Sequence, residues 1–225
     1  KRNRPSLFLR KYLYKISIRY RTKINNENII QSNLSLINSN NEFNLTSLNL
    51  DKKPLFFSHL SNDYIYFQFK KNFFEYLNWD IKEFNDIINL LATKYNQVVF
   101  SADIEKNKYD TYFYKNFTSI DYENNFAYTK KNERNIIYLK KIDPYNLFLI
   151  INNASKILGP HGLITQISNL LSKKPVNLFN FNIKNIYEYH HQKISFSEWY
   201  SNMGIKFIFL NNNIKKSLRK ISKFV

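Results

Sequence analysis

Four consecutive residues, Gly159-Pro160-His161-Gly162, combine the residue types that bind an anion at a backbone turn. They stand between a short apolar run, Lys156-Ile157-Leu158, and a helix-like segment, Leu163 to Lys173. The chain holds only 3 glycines in 225 residues, and two of them are spent here. A strand-to-helix turn leaves the first helical N–H groups without internal partners, and the helix dipole places partial positive charge there. A phosphate completes such a site. Gly159 and Gly162 remove side chains that would hold a ligand off the backbone. His161 is expected to direct a ring nitrogen at a phosphate oxygen, Leu163 opens the helix, and Thr165 and Gln166 add polar groups one turn in. A plain tight turn, with His161 hydrogen-bonded to a neighbouring loop, has the same sequence.

Other residues have weaker claims. His59 follows the apolar run Leu55-Phe56-Phe57, read as the first strand of the domain, and is expected to open on the same crevice; a lone His also serves as a structural hydrogen-bonder. Lys70 and Lys71 lie between that strand and a helix starting near Trp79, where a basic residue can meet a diphosphate. With 34 Lys and Arg in the chain, a solvated surface is the ordinary role for any one of them. Asp103 follows the run Val98-Val99-Phe100 and either faces the crevice or caps the next segment. Glu188 with His190 and His191 does not make a metal site, because adjacent His side chains diverge and no third ligand is near in sequence. Glu198 reads as first-turn charge on a short helix, Ser197 to Met203. The absence of Cys excludes disulfides, thiolate metal sites and Cys nucleophiles. No P-loop, GxGxxG or Ser-His-Asp pattern is present, and no residue declares itself catalytic.

The elements that position these residues follow from periodicity. In Trp79–Tyr95, residues Phe84, Ile87, Ile88, Leu91 and Ala92 share one face of a helix. Val98–Phe100, Ile136–Leu139, Ile157-Leu158, Val176–Phe179 and Phe207–Leu210 are short apolar strands. Pro144 to Ala154 is a helix capped by Asp143 with Pro144 at its first position. A helix near Tyr109–Phe117 and a basic terminal helix, Ile214–Phe224, complete the pattern. Short apolar strands alternating with helices imply an α/β domain: a Rossmann-like parallel sheet with helices on both faces, spanning 54–225. Residues 1–53, a basic amphipathic segment followed by an Asn- and Ser-rich linker, read as the remnant of a preceding domain.

Composition sets outer bounds. Hydrophobic residues make up 44% and aromatics 17%, which indicates a packed globular chain. No run of about 18 apolar residues exists to span a bilayer. The net charge of +17 suits phosphates, nucleic acid or an anionic membrane. The accompanying excess of Lys, Asn, Ile, Phe and Tyr also matches a genome poor in G and C.

The order from the Asn153-Ala154-Ser155 helix end, through a strand, GPHG, a helix and Lys173-Lys174-Pro175 to Val176-Asn177-Leu178-Phe179 resembles the donor-nucleotide domain of GT-B glycosyltransferases. It is most similar to the heptosyltransferase-like family nine, whose segment carries a GKP and a V-x-LFG strand. Asn78–Leu91 (NWDIKEFNDIINLL) resembles that family's RWPLENFAELIKKL, and the similarity covers about residues 54–181. The chain departs from the family in three places. The acidic residue of the turn is replaced by Pro160-His161-Gly162, the His of the following helix is absent near Gln166 and Ile167, and the HPG after the first strand is reduced to Ser58-His59-Leu60. The GPHG turn is also similar to that of the family-sixty-one glycosyltransferases.

The resemblance implies a metal-independent, cofactor-free transferase that takes a nucleotide-diphosphate sugar as donor. Its acceptor would be a glycan or lipid-linked glycan, such as lipopolysaccharide core or capsule of a bacterial surface. The catalytic base would come from an N-terminal acceptor domain. The protein would be cytoplasmic, with a peripheral contact on the inner face of the membrane. Two other readings compete: a basic nucleic-acid-binding α/β module, for which no recognisable motif speaks, and a catalytically inactive scaffolding domain.

Overall fold

The computed structural model describes residues 55–102, 109–120, 127–131, 133–140, 142–180 and 206–225. The proposed N-terminal segment 1–53, Asp103, Glu188, His190, His191, Glu198 and the Ser197–Met203 helix lie outside the described residues.

Eight strands form one sheet: β1 Tyr64–Gln68, β2 Gln97–Ser101, β3 Phe117–Ser119, β4 Ala127–Lys130, β5 Glu133–Leu139, β6 Lys156–Pro160, β7 Val176–Asn180 and β8 Lys206–Leu210. Their order is β3-β4-β5-β2-β1-β6-β7-β8. From β5 to β8 every neighbouring pair is parallel, while β4 runs antiparallel to both β3 and β5. The helices are α1 Lys71–Tyr76, α2 Ile81–Ala92, α3 Asp110–Asn116, α4 Pro144–Asn153, α5 Leu163–Leu170 and α6 Ile214–Ile221.

Alternate residues of β1 belong to two separate cores, as the period of a strand requires. Ile65 and Phe67 point to the side where Phe84, Ile87 and Leu91 of α2, Phe113 of α3 and Ile221 of α6 pack. Tyr64 and Tyr66 point to the other, among Leu147 and Ile150 of α4 and Ile164 and Ile167 of α5. Helices therefore cover both faces, and the chain is an α/β Rossmann-like domain over its described residues. The buried faces agree with local signals. Helix α2 starts at a capping box in which Asp80 accepts from the Lys82 N–H and Glu83 accepts from the Asp80 N–H. Asp143 caps α4 by accepting from the Asn146 N–H at 2.9 Å, with Pro144 first in the helix. Helix α5 ends at Leu170, short of Lys173, where Ser172 turns left-handed at φ 55°.

The beginning of the domain differs from expectation. Leu55-Phe56-Phe57 lies in a 3₁₀ turn, Leu55–His59, and the first strand is Tyr64–Gln68. The sequence YIYFQ hides this strand because its tyrosines are buried polar-tipped rings. Tyr64 donates its hydroxyl to the Ile150 carbonyl at 2.6 Å, and the Tyr66 and Ser101 hydroxyls pair at 2.5 Å. Such partners remove the cost of burying a phenol at the centre of a sheet, and burial holds the Tyr66 hydroxyl protonated well above its ordinary range. The β3–β4 pair is also unforeseen, since Phe117–Ser119 and Ala127–Lys130 are short and carry no clear alternation.

Candidate functional site

The chain leaves β1 for β2 on one side, and β6 lies on the other side of β1. The strand order thus reverses between β1 and β6, and the two following connections part company above that junction. In open α/β sheets this is where ligands bind, beyond the carboxyl ends of the strands. The pairing itself stops there: the last β1–β6 partners are Phe67 and Leu158. Beyond them, the Phe69 N–H turns to the Ser101 carbonyl at the end of β2, at 2.8 Å, and the His161 N–H turns to the Leu178 carbonyl of β7, at 3.3 Å. Because successive backbone groups face opposite sides, the nitrogen of Pro160 faces β1. It has no hydrogen to offer there, and the gap opens at that residue.

Gly159 and Pro160 are the last residues of β6, so the free turn is His161-Gly162 alone. The two glycines do different jobs. A Cβ at Gly159 would lie 2.6 Å from Ile164 Cδ1 and 3.0 Å from Gln68 Cβ, so glycine is required for packing of β6 against α5 and the end of β1. It does not clear a path for a ligand, which corrects its expected role. Gly162 has φ +153°, a conformation that L side chains rarely adopt, and its Cβ position lies 2.7 Å from Lys70 Nζ. Lys70, the residue before α1 at the carboxyl end of β1, therefore places its ammonium over the turn that starts α5. The sequence alone gives Lys70 no more weight than any other lysine; the spacing of two residues after a strand at the switch point is the signal that marks it.

Thr165 is fully buried, and its hydroxyl works inside the protein. It donates to Asn177 Oδ1 at 2.6 Å, accepts from the Gly162 N–H at 3.3 Å, and lies 3.3 Å from His161 Nδ1. Thr165 is thus a strut of the turn, not the ligand contact expected of it. Asn177, missed by the sequence pattern because it sits in the apolar run of β7, is fully buried beneath the turn. The Thr165 and Gln166 N–H groups both return to the Gly162 carbonyl, at 3.0 and 3.3 Å. Of the first turn of α5 this leaves the Leu163 N–H as the donor on an exposed residue, because Ile164 is fully buried. The Leu163 side chain is half exposed at the rim, and Gln166 is partly exposed one turn along.

His161 stacks on Phe179, with ring centroids 5.4 Å apart and planes 17° from parallel. Burial, and secondarily the neighbouring Lys70 charge, lower its pKa from 6.5 to about 4. At neutral pH it is an uncharged imidazole, so the positive charge of the crevice comes from Lys70 and the helix start. His59 lies elsewhere. It precedes β1, and its carbonyl accepts from Gln97 Nε2 at the beginning of β2, at 2.8 Å. That is the amino end of the sheet, opposite the crevice. The displacement follows from the first strand lying beyond His59 instead of before it. Lys71 is the first residue of α1. No group of three His, Cys, Asp or Glu suited to a metal occurs among the described residues, and no described helix is long and apolar enough to cross a membrane.

No family model matches the chain, and no curated protein sequence matches it. Solved structures similar to it include two of one enzyme. One is UDP-GlcNAc 2-epimerase from Methanocaldococcus jannaschii, at 13% identity and a TM-score of 0.48, covering 79% of this chain and 44% of that one. The other is the epimerase of the same organism in complex with UDP-GlcNAc and UDP, at 13% identity and a TM-score of 0.46, covering 80% of this chain and 44% of that one. The chain thus spans less than half the length of either. At such values the likeness adds nothing to the fold class, which follows from the strand order itself.

Proposed function

We propose that the chain is the donor-binding half of a GT-B glycosyltransferase, and that the β1–β6 crevice holds the diphosphate of a nucleotide sugar. One observation carries this reading. Two cation-like groups from different connections, the Lys70 ammonium after β1 and the N-terminus of α5 after β6, converge on Gly162 at the topological switch point. The resemblance of Asn78–Leu91 and of Lys173–Phe179 to the donor domain of such transferases supports the same class, and the acceptor in this reading is a glycan or lipid-linked glycan of a cell surface.

In the transfer, the bond between the anomeric carbon and the diphosphate oxygen breaks as the acceptor oxygen bonds to that carbon. The electron pair leaves with the nucleoside diphosphate. Lys70 and the Leu163 N–H group at the start of α5 face the charge that develops on that leaving group, where fixed donors are most effective. The acceptor proton passes to a base supplied from outside the described residues. Calorimetric titration of the full chain with UDP, GDP, ADP and inorganic phosphate tests the site. Selective binding of one nucleoside diphosphate, weakened by Lys70→Met, is the expected result. No binding of any of them, or binding indifferent to Lys70, overturns the reading.

A further inference from the structure

We propose that a buried water molecule is bound between α5 and β7, held by the Asn177 amide and the Ser168 hydroxyl, and that it completes the support beneath the Gly162 turn. The site does not depend on what the crevice binds.

Polar side chains inside a folded protein are hydrogen-bonded, and one that is not points to a partner still to be supplied. Among the described residues, five buried side-chain atoms have no hydrogen-bond partner: Gln68 Oε1, Thr129 Oγ1, Asn146 Oδ1, Ser168 Oγ and Asn177 Nδ2. The first three belong to partly exposed residues, for which solvent is near. Ser168 and Asn177 are fully buried. They also lie together. Asn177 of β7 is bonded to Thr165 of α5 at 2.6 Å. Ser168 follows Thr165 by three residues, which places both on one face of the helix, a turn apart. The face of α5 that rests on β7 thus carries Thr165 and Ser168, and the strand beneath it carries Asn177.

The orientation of the amide does not alter this. A length of 2.6 Å suits Thr165 donating to Oδ1, and Nδ2 is then left over. With the amide turned round, Nδ2 meets Thr165 and Oδ1 is left over. Either way one polar atom of Asn177 is directed away from Thr165 and lacks a partner. A water donates and accepts, so it serves both arrangements, and the Ser168 hydroxyl meets it in either role. Amide and hydroxyl together supply the polar partners that an internal water requires. Both groups are neutral, so an ion would enter without compensation. Size agrees as well. Ile164 and Ile167 fill the layer between α5 and the second core, whereas Ser168, Thr165 and Asn177 are smaller, as a layer that takes in a water requires.

The water extends a chain already present. The Gly162 N–H donates to Thr165 Oγ1 at 3.3 Å, Thr165 is bonded to Asn177, and the water carries Asn177 on to Ser168. The backbone of the turn is tied in this way to the middle of α5, with β7 as the fixed point.

Stability measurements on the full chain give opposite signs for the alternatives. Ser168→Ala removes one holder of the water. With the water in place, the folding equilibrium constant from urea titration should fall by about three- to tenfold, the scale of one hydrogen bond. A rise would mean that an unpaired hydroxyl had been deleted, and would overturn the proposal. Asn177→Leu replaces the amide and expels the water, so in that background Ser168→Ala should no longer be costly. Additive losses would show that Ser168 is held by another group, such as the carbonyl four residues before it, and would also overturn the proposal. A crystal structure separates a water from direct contact. One solvent peak within hydrogen-bond distance of both Ser168 Oγ and the Asn177 amide is expected, and Ser168 Oγ bonded directly to the amide would refute the site. Should Asn177→Leu fail to fold, the sign of Ser168→Ala and the wild-type crystal structure still decide.

Discussion

A single methyl group at Gly162 should damage the protein in two separable ways. The backbone there has φ +153°, and an alanine would be strained in that conformation by about 1–3 kcal/mol. For a domain of this size that corresponds to a fall in Tm of about 2–12 °C. The same Cβ would stand 2.7 Å from Lys70 Nζ, roughly an ångström inside a comfortable contact. The ammonium ends a flexible side chain, so it would swing aside instead of distorting the core. Losing its contact with a diphosphate should cost about 1.5–3 kcal/mol, or roughly ten- to 150-fold in Kd. The test is a double-mutant cycle in which Gly162→Ala, Lys70→Met and the double variant are titrated calorimetrically with UDP. If the methyl group acts by displacing the ammonium, the double variant binds no more weakly than the worse single one, and the coupling equals about the smaller single effect. Additive losses would show that Gly162 contributes to binding independently of Lys70. Unchanged affinity in Lys70→Met would refute the convergence of the two groups on one anion.

Gly159→Ala should destabilise the fold by about 1–3 kcal/mol through overpacking against Ile164 and Gln68, lowering the urea midpoint without a selective loss of UDP affinity. His161 should shape acid stability. Its folded pKa of about 4 lies below the ordinary 6.5, so between these values the unfolded chain binds the extra proton and stability falls as pH is lowered; above 6.5 the effect vanishes. Urea titrations from pH 7 to 4 should show that slope, and it should flatten in His161→Phe, which keeps a ring on Phe179. Lys215, Lys216 and Arg219 on α6, and Lys223 just after it, are exposed, while Ser217 and Ile221 are buried. Lys220 is already donating to the Phe209 carbonyl at 2.7 Å. Changing those four to Glu should weaken sedimentation with phosphatidylserine-containing vesicles by about tenfold or more, and leave binding to neutral vesicles unaltered; equal binding to both vesicle types by the wild type would make the helix an ordinary solvated cap.

The sheet was legible wherever the strand was a run of aliphatic residues between turn signals. Val98–Phe100, Ile136–Leu139 and Val176–Phe179 each lie within an observed strand. The cap at Asp143 carries its own chemistry and marks its helix start, whereas Asp80 caps a helix that the sequence reading began at Trp79, ahead of its observed start at Ile81. The strand at the centre of the sheet was the one that hid. Its identity depends on hydroxyl partners contributed by Ile150 and Ser101, which are 86 and 35 residues away. Locating β1 wrongly then sent His59 to the wrong end of the sheet and left Lys70 anonymous. Within the turn itself the residue types were readable but their division of labour was not. Thr165 reads as a ligand group until Asn177 is known to lie beneath it, and His161 reads as a cation until burial and Lys70 are placed around it. Local sequence names the groups at such a site; long-range contacts set their protonation.

Pro160 gives the crevice a property that no side chain near it could supply. Two parallel strands with complete backbones can extend their ladder, and a gap between them is open to closure by further pairing. Here the nitrogen facing β1 lacks a hydrogen, and the adjacent donors of Phe69 and His161 are committed to β2 and β7. The cleft therefore cannot zip shut on itself. An incoming ligand has no strand pairing to break and no backbone to rearrange, so its interaction energy is not spent on reorganising the protein. The site is preorganised by a hydrogen bond that cannot form.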